Sequence, residues 1–348
     1  MAPEKKEDFD NALVITIFLL IWMVGIVISN GTVAGILILR KRLRNIPNLY
    51  IVALSFSQLF IGTFVILSTI FGVNFISTPT AWCITTPFFE LFAFSAGIFY
   101  LVGLTVDRDR AILHPISYKP TIQKTVAVLV MLTVGALVYS VQIFIQYGIS
   151  KSVNSENNDK INSYNESNYE SSNMCNILTE DESSDLWFRI VDFVLLFMIP
   201  VIAMVIMYYR IIKTLWSPTI LTTSSTIRKR KVIRSSVVCV TSFLICWLPF
   251  YVLDIIHDSI EIITGDEVSG KSYDVARIVV VFLALSNSLI NPIIYGFLNK
   301  QFQREMCVIK NKYFCKGNQI ADTNINTHSH LGIFNNQGCS SQQTSLPV

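Results

Sequence analysis

Apolar residues run in long blocks along this chain, and polar residues gather between the blocks. The blocks fall at about 13–39, 48–73, 84–106, 125–147, 187–213, 233–256 and 275–298. Each is close to the ~20 residues an α-helix needs to cross a bilayer. The pattern predicts an all-α membrane protein, a seven-transmembrane helix bundle over residues 13–298. It leaves a short extracellular N-terminus (1–12), a segment at 299–315 and a cytoplasmic tail (316–348).

The third block is the most informative. It carries Glu90 among apolar and small residues and closes on Asp107, Arg108, Asp109 and Arg110. Eighteen residues separate Glu90 from Arg108, five helical turns or about 27 Å, so the two charges share one face near opposite membrane surfaces. An ionisable group inside a span is costly unless it faces a protein interior or a water-filled cavity. Glu90 is therefore either a ligand contact or a carboxylate protonated or paired within the bundle.

Composition supports the membrane reading. Of 348 residues 52% are apolar and 15% charged, with a mean hydropathy of +0.51, more apolar than soluble domains usually are. Basic residues cluster after the first block (Arg40, Lys41, Arg42, Arg44), between the third and fourth (Arg110, Lys119, Lys124) and before the sixth (Arg228, Lys229, Arg230, Lys231, Arg234). These loops are expected on the cytoplasmic side. The long loop from Lys151 to Asp185 is acidic, with eight carboxylates against two lysines. The start, MAPEKKEDFDNALVI, has neither a basic n-region nor a cleavage site, so no cleaved signal peptide is read. The first span then anchors the chain with its N-terminus outside, and seven crossings put the C-terminus inside the plasma membrane.

Cysteines divide by compartment. Cys83 and Cys175 are the two on the outer side, and a disulfide between them is the economical reading. Cys239 and Cys246 fall within the sixth block as packing residues. Asn165-Glu-Ser167 in the acidic loop is a glycosylation sequon. Asn30-Gly-Thr32 also matches, but it lies inside a span and is read as structural. Pro200, Pro249 and Pro292 interrupt the last three blocks and are expected to kink their helices.

Together, Asn30 in the first block, Cys83 and Asp107-Arg108 in the third, Pro200 and Tyr208 in the fifth, Cys246-Trp-Leu-Pro249 in the sixth and Asn291-Pro292-Ile-Ile-Tyr295 in the seventh make the chain resemble rhodopsin-like (class A) G-protein-coupled receptors over residues 12–315. The resemblance implies an outer pocket for an agonist and an inner face for a heterotrimeric G protein. It implies that Arg108 meets the G protein and that Tyr208 and Tyr295 move inward to support it. Trp247 would be the ligand-sensing aromatic and Pro249 the hinge. Residues 299–304 resemble the amphipathic eighth helix lying on membrane lipids, with Cys315 as a palmitoylation site. Serines and threonines of the tail are expected substrates for receptor kinases and a docking region for arrestin.

Several positions depart from the family pattern. The usual Asp-Arg-Tyr has Asp109 third, flanking Arg108 with two carboxylates. Gln58 stands where the helix-2 aspartate is expected and Gly97 where a helix-3 serine is common, which weakens a carboxylate-based sodium site. Residues 228–231 are basic where some members place an acid to hold the helix-3 arginine, so raised basal signalling is expected. The helix-4 tryptophan is absent, with Thr133 nearest its place.

Aminergic members place an aspartate where Glu90 stands, and Asp192 falls at a pocket-lining position of the same family. Two carboxylates facing one cavity would suit a small cationic ligand, an amine or diamine, with Trp247, Phe250 and Tyr251 as an aromatic wall. The alternatives are a neuropeptide receptor taking a basic peptide, or purely structural pairs, Asp192 with Arg189 and Glu90 with Arg277. A catecholamine is disfavoured, because Phe193, Leu196 and Leu285 replace its usual polar contacts. Opsin function is excluded because residues 275–298 contain no lysine for a retinal Schiff base. A transporter or channel would predict internal repeats, and an intramembrane enzyme a HExxH or GxSxG element; the chain shows neither. No cofactor, metal or nucleic-acid partner is called for.

Overall fold

The computed structural model describes residues 3–73, 80–146, 182–216, 224–264, 270–298 and 300–313. Among these there are eight long helices, one short 3-10 turn at Lys41–Leu43 and no strand. We number the helices α1 (Pro3–Leu39), α2 (Ile46–Phe60, Ile61–Val65 and Ile66–Val73), α3 (Thr80–Leu113) and α4 (Ile122–Ser140, continued after a turn at Val141 over residues 142–146). They continue with α5 (Glu182–Asp192, Phe193–Met198 and Ile199–Leu215), α6 (Ser224–Thr264), α7 (Lys271–Leu298) and α8 (Lys300–Tyr313). The first seven each contain a stretch long and apolar enough to cross a membrane, which matches the seven blocks. Several run past their block into polar sequence, α3 to Leu113 and α6 back to Ser224, because helical hydrogen bonding does not end where the apolar run does.

The helix starts follow local chemistry. Asn45 caps α2 by accepting from the Asn48 amide, with Pro47 in the first turn, and Thr121 caps α4 by accepting from Lys124, each side chain satisfying an orphan amide. The middle sections of α2 and α5 are π-helical turns, local widenings the apolar pattern does not reveal. Pro249 and Pro292 lie inside α6 and α7 as expected, and α3 carries a further proline, Pro87.

Burial shows which helix is central. Of the membrane-length window of α3, 56% is buried, against 11% in α1 and in α4. The large apolar residues left exposed, such as Ile21 and Ile28 on α1 and Val130 and Met131 on α4, face outward, as expected where lipid replaces water around the bundle. The main core joins Phe94, Ile98 and Leu101 of α3 to Leu196, Phe197 and Met204 of α5 and Phe243 of α6.

Without a tryptophan, α4 is fastened to α3 in another way. The Tyr100 hydroxyl lies 2.7 Å from Thr133 Oγ1. One turn along, a Cβ at Gly103 would sit 2.8 Å from Tyr50 and 3.0 Å from Leu132, so only glycine lets α2 and α4 approach α3 so closely. α8 turns back beneath the bundle. It buries Phe302 and leaves Gln303 and Arg304 exposed, while Glu305 pairs with Arg40 at 3.6 Å and Gln303 donates to the Gly296 carbonyl.

Candidate functional site

Helices α2 to α7 enclose a cavity of about 220 Å³. Glu90, Asp192, Trp247, Phe250 and Tyr251, the five residues singled out from sequence, all line it. Its floor is aromatic. Trp247 packs on Phe94 with ring centroids 4.3 Å apart, Phe250 meets Trp247 edge-on, and Tyr251 lies 5.4 Å from both Phe193 and Phe197. Phe94 was missed in the sequence, although it follows Glu90 by four residues and so shares its helix face.

The charges around the cavity are arranged differently from either pairing the sequence suggested. Asp192 is engaged by α4: the Tyr139 hydroxyl and the Gln142 amide both donate to its Oδ1. Arg189 turns to α6 and bridges two carboxylates, Asp254 at 2.9 Å and Asp258 at 2.6 Å. Arg277 donates to the Tyr273 hydroxyl one turn before it, not to Glu90. These three outcomes correct the Asp192–Arg189 and Glu90–Arg277 pairs, because Asp254 and Asp258, four residues apart on one face of α6, hold Arg189 by two carboxylates at once. That spacing was the available signal.

Glu90 remains exposed to the cavity. Among the described residues it makes no hydrogen bond or ion pair. An ionisable group within a span is tolerated where it faces a cavity of this kind.

At the other end of α3, Arg108 is likewise without an ion-pair partner among the described residues, and its Nε is buried with no acceptor. Its neighbours explain why. Asp107 accepts from the Tyr118 hydroxyl at 2.7 Å, and Asp109 faces Arg210 of α5 at 3.7 Å. The flanking carboxylates are thus drawn away from the arginine. Burial, and then the bond to Asp107, raise the Tyr118 hydroxyl above the ordinary tyrosine pKa, so it stays a donor at neutral pH. Tyr208 and Tyr295 lie within electrostatic reach of Arg108, the Tyr208 hydroxyl is 3.3 Å from Thr105 Oγ1, and Tyr295 hydrogen-bonds Cys239 of α6. Both tyrosine side chains are buried in the bundle.

Between the two ends the polar interior is uncharged. Ser288 donates to Gln58 Oε1, and Asn30 donates to the Ser288 carbonyl at 2.9 Å. Gly97 makes the room, since a Cβ there would lie 3.1 Å from Ser57 Oγ and 3.5 Å from Gln58 Nε2. The adjoining space, lined by Gln58, Gly97, Trp247 and Asn287, is about 10 Å³, roughly one water. With no carboxylate and with the Gln58 oxygen already accepting, these residues do not fit a sodium ion. Pro249 lies on α6 between Trp247 and Phe250, beside the cavity, while Asn291 and Pro292 lie on α7 between this region and the Arg108 end; Asn291 is buried with both side-chain amide atoms unpaired.

Cys175, Asn165 and Cys315 lie outside the described residues, as does the Cys83 side chain.

The profile of the 7 transmembrane receptor (rhodopsin family) matches residues 29–295. A QRFP-like peptide receptor of Branchiostoma floridae is 26% identical over 320 residues, 89% of this chain and 80% of the relative. The substance-P receptor of Aquarana catesbeiana is 26% identical over 79% of this chain and 65% of its own length. The human histamine H2 receptor is 27% identical over 84% and 77%. This chain thus spans a little under two thirds of the substance-P relative. Seven apolar helices, the residues placed at both ends of α3 and the extent of the profile match lead to one conclusion: the chain belongs to the rhodopsin family of seven-transmembrane receptors, a multi-pass membrane family that signals through G proteins.

Proposed function

We propose that this receptor answers an extracellular ligand through a cationic group seated on Glu90, and that the ligand is a peptide carrying a basic residue. The observation that carries this reading is the solitary carboxylate of Glu90, open to the cavity. A volume of about 220 Å³ is below the ~300–1,000 Å³ of pockets that enclose a whole drug-sized ligand; it suits one or two side chains of a larger molecule. The relatives named for QRFP-like peptide and substance P support a peptide. A small amine or diamine is the second reading, favoured by the cavity volume and the histamine H2 relative. In either case Trp247, Phe250 and Tyr251 form the aromatic side of the seat, and Asp192 contributes field with one oxygen committed to α4.

The same proposal places the N-terminus and acidic loop outside, ties that loop to the top of α3 by Cys83–Cys175, glycosylates Asn165 and anchors the chain after α8 through Cys315. Arg108 faces the G protein on the cytoplasmic side, and the tail serves kinases and arrestin.

The test is a second-messenger screen of basic peptides, diamines and monoamines on wild type, Glu90→Gln and Asp192→Asn. Loss of a charge-assisted contact of about 1.5–3 kcal/mol predicts a shift in agonist potency of roughly ten- to a hundredfold for Glu90→Gln and a smaller one for Asp192→Asn. An agonist indifferent to Glu90→Gln defeats the cationic seat.

A further inference from the structure

The inner end of α3 sets Asp107, Arg108, Asp109 and Arg110 in succession, and its second carboxylate is held by another helix. Asp109 follows Thr105 by four residues and so shares its face of α3. That face meets α5: Thr105 Oγ1 is 3.3 Å from the Tyr208 hydroxyl, and one turn on Asp109 Oδ2 is 3.7 Å from Arg210 Nη2. We propose that Arg210 is a positioning residue for signalling: by taking up the charge of Asp109 it keeps that carboxylate from engaging Arg108, and so leaves Arg108 free for the G protein. The inference rests on the reading that Arg108 meets the G protein.

Two orphaned atoms on one turn of α3 show what the pair prevents. Asp109 Oδ1 is a buried acceptor with no hydrogen bond, and Arg108 Nε is a buried donor with none. Bringing them together would satisfy both. Neighbouring residues on a helix do not face each other, so the contact requires the long Arg108 side chain to swing toward α5. While Arg210 holds Asp109, the carboxylate exerts little pull for such a swing. Without Arg210 it is a buried charge stripped of its counter-ion, a strongly unfavourable state. The half-buried Arg108, beside it in the chain, then becomes the cation it takes.

The two partners are unequally committed. The Arg210 side chain is 47% exposed and that of Asp109 only 10%. An arginine at the rim loses little by leaving an ion pair, since water solvates it; the enclosed carboxylate cannot be left alone as cheaply. The state of Arg210 therefore decides which arginine Asp109 serves. A tyrosine, which the family pattern has at this position, would need no such counter-ion, so the requirement for a cation on α5 comes from this chain's own Asp109.

The test needs no agonist. Basal uptake of a non-hydrolysable GTP analogue by a panel of purified heterotrimeric G proteins is measured in membranes matched for surface receptor. Arg210→Gln is expected to lower it at least about fivefold, Arg210→Lys to retain it, and Asp109→Asn added to Arg210→Gln to restore it. If the pair merely braced α5 against α3, the double variant would stay impaired, because the brace is still missing; that result overturns the proposal. If Arg210→Gln does not reach the surface, Asp109→Asn decides alone: uptake no lower than wild type supports the proposal and a fall overturns it. Arg108→Ala is the reference. Uptake lost there but unchanged in Arg210→Gln overturns this inference only, and uptake unchanged in both overturns the reading of Arg108 as well. Wild-type uptake no greater than that of receptor-free membranes also overturns the proposal, since it describes an arginine already free.

Discussion

The two ends of α3 hold opposite charges in the same unusual condition. Among the described residues Glu90 opens into the cavity with no hydrogen bond or ion pair, and Arg108, five turns away, has no ion pair either, although acidic and basic residues surround both. The neighbouring charges are paired elsewhere: Arg189 with Asp254 and Asp258, Asp109 with Arg210, Asp107 with Tyr118. An ion pair that is already closed has little left to offer a partner. Under the proposed function, the charge left at each end serves an encounter, a ligand at Glu90 and the G protein at Arg108. The comparison teaches that a reading by residue type alone overcounts the available charges, and that what matters is which ones the fold has already neutralised.

Three experiments sharpen or break this symmetry. The largest effect is expected from Arg108→Ala, which should retain agonist binding in membranes yet lose G-protein nucleotide exchange by at least about tenfold, within the 5–150-fold that coupling energies of 1–3 kcal/mol represent. Equal loss of binding and exchange would mean that the two ends are not separable. A smaller effect is expected at Tyr295, whose bond to Cys239 and place beside Arg108 belong to the inward arrangement. Basal second-messenger output should exceed that of mock-transfected cells. Tyr295→Phe, lacking one hydrogen bond worth about 0.5–1.5 kcal/mol, should lower it by roughly two- to tenfold; basal output equal to the mock would remove the premise. The smallest effect is none at all: replacing sodium by choline should leave agonist affinity unchanged, because Gln58 and Ser288 satisfy one another without a cation. A clear sodium dependence would contradict that account of the middle of the bundle.

Most of the scaffold was legible in the sequence. Seven apolar blocks become seven helices because a bilayer demands both length and internal hydrogen bonding, and Glu90 stands out as a lone charge in such a block. The five cavity residues named from sequence meet in one cavity because their spacing along each helix fixes their face. What was not legible is pairing across helices. Nothing near Asp192 in the chain announces Tyr139 and Gln142, some fifty residues earlier, and nothing beside Arg189 announces Asp254. The π-turns of α2 and α5 were likewise hidden, since a one-residue widening does not disturb an apolar run. Position 97 shows the converse: glycine there looked like a loss of polarity, but a Cβ would press on Ser57 Oγ at 3.1 Å, so it is a packing position against α2.

The bonds from Tyr139 and Gln142 to Asp192 have a mechanical consequence. They pin the seam between α4 and α5, so that wall of the cavity acts as a fixed jaw. The Arg189 bridge to Asp254 and Asp258 clamps the outer end of α6 to the same wall, so the part of α6 left to move is the aromatic stretch beside Pro249. A bulkier ligand would be accommodated by movement of that stretch about Pro249 rather than at the α4–α5 seam, and its size would be translated into a direction of movement.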